Sequence, residues 1–466
     1  MKTLKHFTKT VILLLSVVLM TSCSTDNDDN DVIITEELTI VELASISPNL
    51  SSLVSALQAA NGDLVSVLNG PGPFTVLAPT NTAFQTLLDS NPNWNSISDI
   101  DPAVLQQVLL NHVISGNVTS TDLSALGSGY AKTNANGAGD EKLSLYFDTS
   151  GGVTFNNAAS VVQGGADIVA KNGVVHVIDN VIGLPTIATH VTANSNFSAL
   201  AGTLTTDLVN TLNGSGSFTV FAPNNNAFGN LASVPSGDEL VNLLLNHVID
   251  GVVKSSDLVN AAEGYTNTLA TGPGMNNLSL YFNTSDGVKF NGLSTVTETD
   301  IVATNGIIHA VDEVITLPTI ATFATSNSAL STLVDVLVYA DTGTPTVPYI
   351  ATVSDATAGP FTVFAPTNDA FVSLLEDDLM ANALTDIDTD TVDAVLLNHI
   401  VNANVQSSAL TSGTVSTLGG DITVDASAFT LTDANGRVSN IITSLVDIQG
   451  INGVVHVIDK VILPAP

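Results

Sequence analysis

At 466 residues the chain is long enough for roughly two to four domains, and 44 acidic residues against 10 Lys plus Arg give it a formal net charge of −34. Charged residues make up 12% and hydrophobic ones 44%, too apolar for an acidic disordered chain and too poor in cations to follow a phosphate backbone, so nucleic acid is excluded as a partner. The single Cys excludes an intrachain disulfide and a thiolate metal cluster.

In chain order, Lys2, Lys5 and Lys9 precede the ten-residue apolar run from Val11 to Met20. That run is too short to span a bilayer and has the length of a signal-peptide core. It ends in Leu19-Met20-Thr21-Ser22-Cys23, which resembles the lipobox of bacterial lipoproteins. The resemblance implies that residues 1–22 are a lipoprotein signal peptide and that Cys23 becomes the lipidated amino terminus. Residues 23–36 follow as an acidic tether, with Asp26, Asp28, Asp29 and Asp31 in a stretch that has little apolar surface to bury. An acidic run directly after such a Cys also resembles the export signal of surface lipoproteins in Bacteroidetes-type bacteria. It implies an outer-membrane lipoprotein exposed on the cell surface, the alternative being one that faces the periplasm. Either way the membrane is met through the lipid alone, because several acyl chains hold where a chain of this charge is repelled.

The rest of the chain repeats. Phe74-Thr-Val-Leu-Ala-Pro-Thr-Asn-Thr-Ala-Phe84 returns as Phe218-Thr-Val-Phe-Ala-Pro-Asn-Asn-Asn-Ala-Phe228 and as Phe361-Thr-Val-Phe-Ala-Pro-Thr-Asn-Asp-Ala-Phe371. A second block reads Leu-Leu-Asn-His at 109–112, 244–247 and 396–399. A third opens with Asn-Gly at 172, 305 and 452 and carries His176, His309 and His456. So long a period means whole domains in tandem, with boundaries at 37–184, 185–317 and 318–466. In the first block Phe218, Val220 and Ala222 alternate as on a strand. Pro223 stops the ladder, and Asn224, Thr80 and Thr367 stand where a helix cap is needed. Val104, Leu105, Val108 and Leu109 have helical spacing ahead of His112, and each Asn-Gly is a turn leading into a β-branched strand. Leu184-Pro-Thr-Ile-Ala-Thr189 and Leu317-Pro-Thr-Ile-Ala-Thr322 join the copies without a Gly/Ser spacer. Copy three carries extra sequence before Phe361, including Thr342-Gly-Thr-Pro-Thr-Val-Pro348, and the expectation there is a surface loop.

These blocks resemble the fasciclin-like (FAS1) domain, over about residues 37–464. The resemblance implies an α+β, β-rich fold for each copy, a wedge of two β-sheets with packed helices. It also implies extracellular adhesion modules that bind protein or a matrix polymer, and no enzyme activity. In animal members an Asp-Ile or Asp-Leu pair just before the Asn-Gly strand has been assigned adhesive roles. By position this makes Asp167-Ile168, Asp300-Ile301 and Asp447-Ile448 the candidate adhesion residues. The residue before each Asp is Ala166, Thr299 or Val446, which departs from that pattern, and no Arg-Gly-Asp occurs.

The histidines are the remaining chemical candidates. His112, His247 and His399 end predicted helices, where the dipole favours a cation. His176, His309 and His456 alternate with apolar residues on predicted strands. None has a second ligand at metal spacing, no Gly-x-Ser-x-Gly elbow is present, and no calcium loop ends in a Glu. All six are therefore read as structural, with no metal and no cofactor. A polysaccharide-binding or cell-envelope structural module is the alternative function, weakened by the scarcity of aromatics, Trp94 being the single Trp. Mass spectrometry of the native protein is expected to find an acylated Cys23 at the amino terminus, and Cys23→Ser to move the protein into the soluble fraction. An unmodified terminus, or one elsewhere, overturns the assignment.

Overall fold

The computed structural model describes residues 37–212, 216–378 and 383–465; the expected signal peptide, Cys23 and the expected tether lie outside them. Each copy opens on a helix that its own threonine caps: Thr39 before Ile40–Ile46, Thr186 before Ile187–Ala193, Thr319 before Ile320–Ser326. In each, the Thr side chain accepts the N3 amide while the N3 side chain returns to the Thr amide, so two free helix donors are satisfied at once. The Pro-Thr joint is thus the start of the next copy.

The centre of every copy is a parallel strand pair. Phe74–Pro79 runs beside Gly173–Ile178, Phe218–Pro223 beside Gly306–Val311, and Phe361–Pro366 beside Gly453–Ile458, with Phe opposite Gly each time. Antiparallel strands Val113–Ser115, Val248–Asp250 and Ile400–Val401 flank the first member. The sequence alternation suggested one inward face, yet both faces of Phe218–Pro223 are buried. Val220 and Ala222 face a helical core, and Phe221 faces a second core under the hairpin sheet. Copy one builds a single eight-stranded sheet, copy two closes its strands into a barrel, and copy three keeps two four-stranded sheets. The expected caps form, with Thr80, Asn224 and Thr367 accepting the amides of Ala83, Ala227 and Ala370.

The Asn of each Asn-Gly turn ties this centre to the start of its copy. Asn172 Oδ1 accepts the Ile40 amide at 3.0 Å, its Nδ2 donates to Leu68 and Gly70, and its carbonyl accepts the Phe74 amide. Asn305 and Asn452 repeat the bond to Ile187 and Ile320 at 2.9 Å. Beside them Lys171, Thr304 and Ile451 donate their amides to Leu38, Pro185 and Pro318 at 2.9, 2.8 and 2.7 Å.

The 342–348 stretch of copy three is a loop as expected, and the extra sequence after it adds a helix that was not expected. Ser331–Ala340 and Tyr349–Ser354 are helices, with 341–348 looping between them. The carboxylate of Asp341 caps the second helix from outside it, accepting the Tyr349 and Ile350 amides at 2.8 and 2.9 Å. The buried Tyr349 ring anchors it, with its hydroxyl on the Asp393 carboxylate at 2.6 Å.

The glycine opposite each Phe admits no side chain. Gly173, Gly306 and Gly453 have φ of +156°, +156° and +150°, and a Cβ there falls 1.9, 2.0 and 2.2 Å from the facing Phe carbonyl oxygen. Gly306→Ala is therefore expected to destabilise the protein by about 3 kcal/mol or more. Gly183→Ala, with nothing within 4 Å, should stay within about 0.5 kcal/mol. Equal thermal unfolding of the two variants by circular dichroism overturns this.

Candidate binding site

The three Asp-Ile pairs occupy one place in each copy, at Ile168–Ala170, near the end of Ser294–Ala303, and at Ile448–Gly450. Each Asp is left-handed, with φ of 56°, 57° and 57°, a conformation Asp adopts more readily than most residues. The bend turns each carboxylate onto a serine. Ser120, Ser255 and Ser407 donate their amides to it at 2.8, 3.0 and 2.6 Å, and their hydroxyls as well. The Asp amides donate to Nδ1 of His176, His309 and His456 at 3.2, 3.3 and 3.2 Å. The opposite ring nitrogens donate to the carbonyls of Val118, Val253 and Val405. A ring nitrogen that accepts a bond carries no proton, so these rings are neutral and protonated at Nε2. Burial lowers the pKa of His309 and His456. For Asp167 burial pushes the carboxyl up, and the Ser120 hydroxyl and amide outweigh it and hold it low. The Ser hydroxyl thus faces a carboxylate, and the imidazole faces the Asp backbone amide rather than the hydroxyl.

His112, His247 and His399 take the opposite tautomer. Nδ1 donates to the carbonyl four residues back, Val108, Leu243 or Val395, at 2.7, 2.9 and 2.8 Å. Nε2 accepts the amides of Ile182, Ile315 and Ile462, each at 2.9 Å. Burial lowers all three to about 4, against the raising effect of the carbonyl bond. The rings are neutral and held by backbone at both nitrogens, and they cap free helix carbonyls as donors. Among the described residues no three His, Cys, Asp or Glu side chains gather as metal ligands. Trp94 packs half-buried against the helical core of copy one.

The three pairs differ in what covers them. Ile301 and Ile448 are core residues, 1% and 2% exposed, which leaves neither side chain open to a partner. The following residues, Val302 and Gln449, are buried against the preceding copy. The Val302 amide donates to Ser144 Oγ and the Gln449 amide to Ser279 Oγ, both at 2.9 Å. Tyr130 lies 5.4 Å from His190 and accepts a bond from Asn194. Tyr265 lies 5.9 Å from Phe323 and accepts one from Asn327. Lys132 adds a bond to the Asp300 carbonyl, and Lys254 an ion pair with Glu141 at 2.7 Å. In copy one nothing precedes this edge among the described residues. Ile168 is half-buried there and Val169 is 73% exposed. His190, fully buried at the first junction, lies outside the repeated blocks and escaped the sequence reading.

The fasciclin domain model matches residues 48–185, 195–318 and 329–464. The chain belongs to the fasciclin domain family. It is 28% identical to transforming growth factor-beta-induced protein ig-h3 of Sus scrofa over 376 residues, 76% of this chain and 48% of that protein. It is 29% identical to periostin of Homo sapiens over 265 residues, 53% of this chain and 29% of that protein. An uncharacterized Synechocystis protein, sll1735, is 38% identical over 143 residues, 31% of this chain and 96% of that protein. The chain thus spans about half the length of ig-h3 and carries three tandem α+β fasciclin domains.

The histidines set a pH dependence. Above pH 6.5 the rings of His112, His247 and His399 are neutral whether folded or unfolded and contribute nothing to it. Below 6.5 the unfolded chain binds protons that the folded one refuses until about pH 4, so stability falls across that window, by about 1.4 kcal/mol per pH unit per ring. Carboxylates lowered by Ser and Thr bonds, such as Asp122 and Asp148, titrate below it. Denaturant midpoints are expected to drop from pH 7 to 4.5, and to drop less in the triple His→Gln variant. An unchanged wild-type midpoint overturns the neutral-ring reading.

Proposed function

We propose that the protein is a lipid-anchored adhesion protein of the cell surface that presents its fasciclin domains to extracellular protein or matrix polymer. The open edge at Asp167, Ile168 and Val169 carries this reading. The same positions in domains 2 and 3 each bury themselves against a protein surface, so this edge has the chemistry of a docking strand. The six paired histidines, the obvious candidates for catalysis, are each engaged at both ring nitrogens by backbone, which supports a binding role over an enzymatic one. The lipobox and acidic tether supply the anchor and the stand-off from the membrane. A mature chain this acidic needs a lipid to stay there.

Protease added to intact cells is expected to release soluble fragments of the fasciclin domains. Cells lacking the protein should be retained less on surfaces coated with extracellular protein. Full protection until lysis places the protein facing the periplasm, and equal retention of the two cell types removes the adhesion reading.

A further inference from the structure

Each junction joins two unlike surfaces, and domains 1 and 3 differ in which of the two they keep. The giving surface is the outer face of a hairpin. In domain 1, Ser128–Asn136 pairs with Lys142–Asp148, setting Tyr130 opposite Tyr146 and Lys132 opposite Ser144. In domain 2, Tyr265 faces Tyr281 and Asn267 faces Ser279. The paired tyrosines lie 5.3 and 5.0 Å apart and present one ring to the first helix of the next domain. The receiving surface is that helix together with the outer edge of the Asp-Ile strand.

Domain 3 has lost the giving face. Its hairpin, Gly413–Ser416 with Asp421–Asp425, sets Thr414 opposite Thr423 and Ser416 opposite Asp421. Ile422 and Val424 point into the core as Leu145 and Phe147 do, so Thr414 and Thr423 hold the tyrosine positions and Asp421 the serine position. All four outward residues are exposed. The outward face of this hairpin is therefore small, polar and acidic, without the paired rings of domains 1 and 2.

Domain 1 keeps the receiving face. Ile168, Val169 and Ala170 pair with Val175, Val174 and Gly173 in the register of Ile301, Val302 and Ala303 with Ile308, Ile307 and Gly306. The Val169 amide is therefore turned outward as that of Val302 is, and no side chain bonds it among the described residues. Leu43 stands where His190 and Phe323 meet the tyrosines. Ile46, one turn further along the same helix, is 59% exposed. An exposed strand edge with apolar side chains beside it is a template for pairing.

We propose that this edge of domain 1 is a docking surface for the tyrosine-paired hairpin of a fasciclin domain on another polypeptide. The two junctions inside the chain show what such an edge accepts, and the edge continues that established interface. A second copy of this chain is unsuited as the partner, because both of its tyrosine-paired hairpins are already engaged and its third lacks the tyrosines. The inference rests on the reading of domain 1 as the binding end, and names the partner.

The test gives the chain a giving face of its own. Thr414→Tyr, Thr423→Tyr and Asp421→Ser together in the full chain are expected to produce reversible head-to-tail assembly, seen as a weight-average mass that rises with concentration in sedimentation equilibrium. Adding Val169→Lys should return it to the wild-type mass. Because the triple variant is a surface change that can disturb domain 3, a cyclised peptide of residues 128–148 is titrated in parallel against the wild-type chain. Saturable binding is expected, at least tenfold weaker in Val169→Lys. No assembly and no peptide binding overturns the proposal, as does either signal persisting unchanged in Val169→Lys. Wild-type chain that self-associates through Val169 overturns it in favour of a second copy. Binding of a matrix polymer, but not the peptide, at this edge overturns it while leaving the adhesion reading standing. Assembly by chains whose cells show no adhesion defect has the reverse meaning, retaining the docking surface and removing the adhesive role.

Discussion

The Asn that begins each third block holds its domain closed, and most of the local geometry follows from it. Asn172 ties together the first helix through Ile40, the end of helix Leu64–Leu68 and the turn after it through Leu68 and Gly70, and the first strand through Phe74. The next residue must then be Gly, because the backbone passes so close to the Phe74 carbonyl that a Cβ has no room. With the turn fixed, the parallel pair is in register. The His in its fourth position then lies under the Asp amide, and the Asp carboxylate is held against Ser120. A buried side-chain amide with every bond satisfied gives specificity that an apolar residue of the same size lacks.

Much of this was legible in the sequence. The three blocks, their order, the caps at Thr80, Asn224 and Thr367, and the turn at Asn-Gly are local signals, and local signals survive in a single chain. The joints were legible as close ones, since neither has a Gly/Ser spacer, but the contacts across them were not. Ser144 meets Val302 across 158 residues, and a serine alternating outward on a strand looks like any solvent-facing residue. A signal was present all the same: Leu-Ser-Leu-Tyr-Phe stands at 143–147 and again at 278–282, and copy three has nothing like it. The helix at Tyr349 was hidden because its cap, Asp341, lies eight residues before it, behind a Thr-Gly-Thr-Pro stretch with every mark of a loop. The three Asp-Ile pairs are alike as sequence, and their unlike burial is a property of position in the array.

Two sets of histidines use one imidazole in opposite ways. At the helix ends the proton sits on Nδ1 and serves a carbonyl. On the strands it sits on Nε2, leaving Nδ1 to receive the amide of a left-handed Asp. Both arrangements use one ring nitrogen as donor and the other as acceptor, which only the neutral ring can do.

The bonds that bring each domain's entry point onto its last strand also fix where mechanical load travels. Tension applied at the amino-terminal end reaches Leu38, whose carbonyl is held by the Lys171 amide, and passes into Gly173–Ile178. From there the chain leads straight to Pro185, held by Thr304 at the head of Gly306–Val311, and then to Pro318, held by Ile451 ahead of Gly453–Ile458. Three strands thus lie in series along the line of force, and the hairpins and helices hang beside it. A pull at the amino-terminal end therefore meets the Leu38–Lys171 bond and the strand behind it before it reaches the hairpins.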